Sequence, residues 1–425
     1  MFARKSPRPA VATASLLAGA LLLFPPAAAS AGGVPHAGVV SADPVDTTPH
    51  VLDGIVNAFA LAGTTVIVGG DFGQVREAGG SRSLSRSNLF AFDLRTGRVD
   101  PRFAPRLDGP VHALAAGPDG SVYAGGAFYS AAGAREGRGL VRLSLADGSP
   151  VPGFAAAVRG GGVSSLVLRG GHLYAGGDFT GIGRAARPAL ARLDAATGEA
   201  DPAFTVTPGG ALGGDLKVYA MAASRDRLAV DGSFTTLDGL RRPQVGLIDI
   251  GAARPRVDAW RTESYAAACK EAFPSYVRGL DFSPDGQYFV VVTTGGAKGT
   301  RKLCDSAARF GTYSRGPVKP AWINYTGGDS LYSVAVTGSA VYVGGHQRWL
   351  DNPGGSDTAG PGAKARPGIG AIDPATGKAL AWNPTRERGI GVKAFLPHKG
   401  GLLVGSDTTR LGREYHARVG MFPLP

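Results

Sequence analysis

The chain holds only two cysteines, three methionines and seven histidines in 425 residues. The histidines are scattered, and neither they nor the cysteines stand at metal-ligand spacing. No Gly-x-Ser-x-Gly elbow is present, which removes one familiar setting for a nucleophilic serine. Past the N-terminus no second apolar run follows, so membrane insertion by the body of the chain is not expected. A Lys/Arg-rich block with interleaved aromatics is also missing, which argues against a nucleic-acid surface.

What is abundant is glycine (66) and proline (30), set among short alternating apolar stretches. Such punctuation predicts many short strands joined by tight turns. The N-terminus has a different character: basic Arg4, Lys5 and Arg8, an apolar run from Ala10 to Phe24, then Ala29-Ser30-Ala31 before Gly32. That order predicts a signal peptide over residues 1–31 and a secreted, extracellular protein; the alternative is a retained helical anchor. Its removal takes three basic side chains and no acid, lowering the net charge from +12 to +9. Anionic glycans or cell-wall polymers suit an exported basic protein.

A repeat of about 56 residues organises the remainder. In its third copy a strand starting at Val163 leads through Gly170-Gly171 to Tyr174-Ala175-Gly176-Gly177-Asp178-Phe179. A polar loop follows, then Leu190 to Gly198 and the closing Asp201-Pro202-Ala203-Phe204. The first glycine of the pair recurs as Gly69, Gly125, Gly176, Asp231, Val291, Gly344 and Gly405, which counts seven units. Paired glycines fit a bulge or a close backbone approach, and no helix follows to make them a phosphate loop. Asp-x-x-Thr-Gly segments at Asp93, Asp194 and Asp373 read as hairpin turns rather than calcium loops. Loop acids such as Asp351 and Asp357 lack calcium-loop spacing.

Phe103, Phe154, Phe204, Trp260, Trp322 and Trp382 share one column, where large rings fill the gap between neighbouring units. The last repeat stops after its third strand, while Asp43-Pro44-Val45-Asp46 resembles the fourth-strand pattern Asp100-Pro101-Arg102-Phe103. The expected fold class is therefore all-β. It is a seven-bladed β-propeller of four-stranded blades over residues 51–425, its ring closed by an N-terminal strand from residues 32–50 that completes the last blade. An open solenoid is the alternative.

The motifs Tyr-Ala-Gly-Gly-Asp-Phe, Leu-Asp-x-x-Thr-Gly and Asp-Pro-x-Phe resemble the delta-60 repeat propellers of secreted bacterial proteins, a family of unknown function. The double glycine also gives the repeat a Kelch-like look, without the Tyr and Trp pairing of Kelch units. Blade five departs most, with Val290-Val291-Val292 in place of the glycine pair. The resemblance implies a fold and carries over no catalytic residue.

In a propeller the loops entering the first strand and those leaving the second share a face, where sites gather. Cys269 and Cys304 both map there, and in an exported chain they are expected to form a disulfide stabilising by roughly 3–4 kcal/mol; two unpaired thiols are the alternative. A polar column at the start of the first strand, Asn57, His112, Ser164, Tyr219, Arg278, Tyr332 and Lys393, differs in every repeat. Seven solutions at one mouth suggest a cavity with specialised walls, or merely a hydrated channel. His346, Arg348 and Trp349 form a second candidate, with Trp349 stacking on a sugar ring or else covering a blade edge.

The expected function is an extracellular binding or scaffold protein, monomeric and without cofactor or metal, whose ligand is an anionic saccharide or a protein partner at the wall. The alternative is a polysaccharide lyase or hydrolase acting on an acidic glycan, with catalytic groups drawn from His112, Tyr219, Arg278, Tyr332 and Lys393.

Overall fold

The structure, a computed structural model, describes residues 33–425 apart from 132, 134–136, 253 and 298. The expected signal peptide lies outside the described residues. Among those residues the regular structure is all β, with no α-helix. Repeat one pairs Ile55–Ala62 with Thr65–Asp71, and Thr65–Asp71 with Leu89–Asp93, all antiparallel. The same order recurs in the sheets that begin with Val111–Ala116, Val163–Arg169, Val218–Ala223, Val277–Phe282, Leu331–Val336 and Ala394–His398. Second strands such as Val66-Ile67-Val68 and Val290-Val291-Val292 have no exposure on either face. Each is covered by neighbouring sheets on both sides, which is why it reads as an unbroken apolar run.

The repeating contact between sheets is a glycine against a valine. A Cβ on Gly69 would lie 2.6 Å from Val111 Cγ1, and the same 2.6 Å separates Gly125 from Val163 and Gly176 from Val218. These valines start the first strand of the next repeat and are fully buried, each worth about 1.5–3 kcal/mol. The aromatic column strengthens the same seam. Trp260, Trp322 and Trp382 are buried, and their indole N–H groups donate to the carbonyls of Gly311, Pro374 and Ser41. Phe103 and Phe204 are fully buried, whereas Phe154 keeps part of its ring in solvent against Tyr123.

The outer edge is less regular than expected. Among the described residues only repeats four and five have a fourth strand, Arg256–Val257 and Trp322–Tyr325. In repeats one, two, three and six it shrinks to single bridges, Phe92 to Val99, Leu143 to Pro150, Leu193 to Ala200 and Ile372 to Ala379. In repeats one and three Asp100 N–H and Asp201 N–H each donate once to the ladder, and the next donors, the N–H groups of Arg102 and Ala203, turn back to Asp100 and Asp201 Oδ1. In repeat seven the same place holds residues 41–48. Ser41 N–H and Val45 N–H donate to Pro423 and Met421 carbonyls, and the Thr48 hydroxyl to Val419. Repeats seven and one also share a core cluster, with Ala394, Leu403 and Val419 packed among Val56, Phe59 and Val68.

The Asp-x-x-Thr-Gly segments are turns. Asp93 Oδ1 accepts from the N–H groups of Arg95 and Thr96, Asp373 does the same for Ala375 and Thr376, and Gly97 and Gly377 have φ of 69° and 72°. The loops after the second strands fold back as short hairpins, among them Gln74–Arg76 with Ser83–Ser85 and Arg410–Leu411 with Glu414–Tyr415. They build up the face on which the polar column stands.

Candidate functional site

The polar column is a series of β-bulges. Val56 pairs with Gly70 and Ala58 with Gly69, leaving Asn57 as an extra residue between them. The register slips identically at His112, Ser164, Tyr219, Arg278 and Tyr332. Lys393 directly precedes the pairing of Ala394 with Gly405, and its N–H donates to the Gly405 carbonyl. A bulge leaves a residue outside the ladder and turns its side chain out of the sheet alternation. A glycine pair faces the bulge at Asn57, His112, Ser164 and Tyr332, while at Tyr219 and Arg278 it forms opposite Asp231-Gly232 and Val292-Thr293, so the bulge itself frees this position from core packing.

Next to the bulge, the residue that follows the glycine pair latches the chain leading into the first strand. Asp178 accepts from Gly162 N–H at 2.7 Å, His346 Nε2 from Ser330 N–H at 3.3 Å, and Asp407 from Gly391 N–H at 3.0 Å. The turn role of His346 is therefore real, though it leaves the other ring nitrogen for further use.

His112 and Ser164 line a pocket of about 250 Å³, together with Asp178, Lys217, Tyr129 and Arg138. Lys217 Nζ lies 3.4 Å from Asp178, and Arg138 covers the exposed Tyr129 ring at 4.8 Å. Burial pushes the His112 imidazole down and Lys217 adds to it, against the pull of the Val163 carbonyl, Asp178 and Asp71; the ring is neutral at pH 7. Burial would raise Asp178, but the Gly162 N–H and Lys217 hold it below the usual carboxylate range. Asn57 stays apart, donating to the Val111 carbonyl at 3.1 Å.

Four other column residues do meet. Arg278 stands 5.2 Å from the centre of the Tyr219 ring, with Lys217 on the same ring at 6.0 Å. Lys393 Nζ lies 3.6 Å from the centre of the Tyr332 ring, and Tyr332 Oη lies 3.3 Å from His346 Nδ1. Burial and the Arg278 charge together lower Lys393 to about 8, with Asp407 opposing. Because His346 Nε2 faces a backbone N–H, which can only donate, Nδ1 carries the proton of the neutral ring and donates it to Tyr332 Oη. The fold here is a β-propeller.

That conclusion agrees with the comparisons. Residues 117–154 and 171–204 match the family described as "Domain of unknown function (DUF5122) beta-propeller". The crystal structure of the WD40 β-propeller domain of Doa1 superposes with a TM-score of 0.52 at 11% identity, covering 90% of this chain and 97% of that one. A computationally designed protein, Ika8, aligns at a TM-score of 0.47 and 13% identity over 91% of this chain and 100% of its own. No curated protein matches the chain.

The second candidate is rearranged by its neighbours. Arg348 grips the buried Asp329 through Nε at 2.8 Å and its second amino group at 3.1 Å, and its guanidinium lies 4.4 Å from the Trp349 ring centre. Trp349 is half-buried in a short strand paired with Lys364–Ala365. One side of its indole is thus already covered by a cation. Cys269 and Cys304 are joined in a disulfide with Cα atoms 5.9 Å apart. Lys217, Asp178, Asp329 and Arg388 belong to the site and were not legible as such. Asp178 sits inside a structural motif, and Arg388 reaches Asp329 from 59 residues away.

Proposed function

We propose that the chain is a secreted seven-bladed propeller of the delta-60 repeat kind, its ring closed by the N-terminal segment, and that its bulge face binds an anionic extracellular ligand such as an acidic saccharide. Seven successive sheets, the shared core of repeats seven and one, and the docking of residues 41–48 support the closed ring. The basic start and small-residue end of residues 1–31 support export.

One observation carries the ligand class. Arg278 and Lys393 are near enough for the first to lower the second, yet their partners are the carbonyls of Ser275 and Val277 and two tyrosine rings. Neither has a carboxylate within 4.0 Å among the described residues. Two adjoining cations without a bonded counter-charge attract a carboxylate or sulfate. Binding of acidic and neutral polysaccharides to the parent chain and to Arg278→Ala and Lys393→Ala chains tests this. Each variant should lose at least about tenfold in affinity for the acidic polymer. Equal binding of neutral and acidic polymers, or unchanged affinity in both variants, sinks the proposal.

A second reading has its own observation. Tyr332 Oη receives a hydrogen bond from His346 while Lys393 lies against its ring, which sets a phenol beside a cation, the two kinds of group a uronate lyase uses to move a proton and to neutralise the carboxylate. Formation of unsaturated uronate product, abolished in Tyr332→Phe, separates catalysis from binding.

A further inference from the structure

Where the N-terminal segment meets the last repeat, three side chains with lone pairs converge on one spot. Asp46 comes from the segment, Glu414 and His416 from the hairpin of repeat seven. One ligand atom from each lies within 4.8 Å of the other two. Both carboxylates are exposed, while His416 is 3% exposed and rigidly placed.

The hydrogen bonds around His416 decide which nitrogen faces this spot. Its Nδ1 lies 3.3 Å from Thr48 Oγ1, and the Thr48 hydroxyl lies 3.3 Å from the Val419 carbonyl. A carbonyl can only accept, so the arrangement that satisfies all three groups sends the Thr48 proton to Val419 and the Nδ1 proton to Thr48. Nε2 is then a bare lone pair, and it faces Glu414 Oε2 at 3.5 Å. A proton or a metal ion on Nε2 satisfies this lone pair, and with the Glu414 and Asp46 carboxylates beside it the three groups form a donor set for a cation.

We propose that Asp46, Glu414 and His416 bind a divalent transition metal ion, of which zinc is the natural probe, and that the ion clamps the N-terminal segment onto the last repeat. Imidazole and carboxylate are suitable donors, and three protein ligands leave a fourth position for water. Ligands about 2.0–2.2 Å from zinc stand about 3.3 Å from one another. Glu414 Oε2, 3.5 Å from Nε2, is already close to that spacing, and Asp46 closes the rest, a movement its exposed side chain permits. Thr48 acts as the outer partner that fixes the imidazole tautomer and orientation. The site cannot form without residues separated by most of the chain length. It supplies a bond between the first and last segments, the seam where a tandem array has no covalent connection.

The test uses the purified full chain, stripped with chelator and titrated with zinc by calorimetry, alongside hydrogen exchange at the Val45 amide, which donates to Met421. One ion per chain is expected, with slower exchange at Val45 once it is bound. Asp46→Asn and Glu414→Gln, both exposed and harmless to folding, should each weaken zinc binding at least about tenfold, and Thr48→Val by about 10–100-fold. The proposal is overturned if no saturable one-to-one binding is found at micromolar zinc, or if binding survives unchanged in Asp46→Asn and Glu414→Gln. Zinc bound without any slowing of Val45 exchange overturns the clamp.

Discussion

A Cβ on Gly405 of the last repeat would lie 2.6 Å from Cγ1 of Val56 in the first, the same approach that Gly176 makes to Val218 between consecutive repeats. Repeats seven and one thus make the same glycine–valine contact as repeats one and two, two and three, and three and four. Gly405→Ala should destabilise by about 1–3 kcal/mol, the usual cost of overpacking, and by the same amount as Gly176→Ala within about 0.5 kcal/mol. Urea denaturation of the two variants checks this. A Gly405→Ala chain as stable as the parent would mean that repeats seven and one do not pack together in solution.

Asp231 takes the glycine position in repeat four and is fully buried, with Oδ1 accepting from Ala220 N–H at 2.9 Å. Burial pushes its carboxyl up to about 8, against the Ala220 hydrogen bond and the Arg278 charge. A carboxyl raised in the folded state contributes fully below the unfolded value of about 3.9, and its contribution falls as the pH climbs toward 8. Stability should therefore decline between pH 4 and 8 with a slope of up to about 1.4 kcal/mol per pH unit from this group. Asp231→Asn should remove that slope and be the more stable chain at pH 8. Parallel stability curves for the two proteins from pH 5 to 8 would contradict it.

His36 and His398 meet where the N-terminal segment crosses repeat seven, His36 Nε2 lying 3.0 Å from the His398 carbonyl. Burial lowers both; burial first and then the His36 charge bring His398 to about 4, while the hydrogen bond to the His398 carbonyl opposes the lowering of His36. For a histidine depressed in the folded state, stability is complete above the unfolded value near 6.5 and is lost as the pH falls toward 4. The loss from His398 amounts to about 3 kcal/mol across that window. Hydrogen exchange at the Val45 and Ser41 amides should speed up between pH 6.5 and 4, after correction for the intrinsic rate, before the other repeats open. His398→Gln should flatten this response. Uniform acid opening of every repeat would rule the local effect out.

Much of the architecture was legible because it repeats. The glycine column, the Asp-x-x-Thr-Gly turns and the aromatic column each keep one place in the units that carry them, and a feature that keeps its place from unit to unit serves the unit. The fourth strand was overestimated, because Asp100 and Asp201, which open the very motif that suggested it, take the N–H groups of Arg102 and Ala203 that would extend the ladder. The candidate site was legible only as a column. The division of that column into a His112 pocket, a Tyr219 and Arg278 pair, and a Tyr332, Lys393 and His346 group depends on distances between neighbouring sheets.

The amino-acid sequence by itself determined the all-β repeat, the turns, the positions freed from packing and the two cysteines close enough to join. These are set by local rules: which residues tolerate positive φ, which lack an N–H, which alternate. Only the tertiary structure decided that Asp46 meets Glu414 and His416, that Arg348 is spent on Asp329, and that Arg278 depresses Lys393. Those relationships join residues from different repeats or opposite ends of the chain, and charge and hydrogen bonding act across space regardless of how many residues intervene.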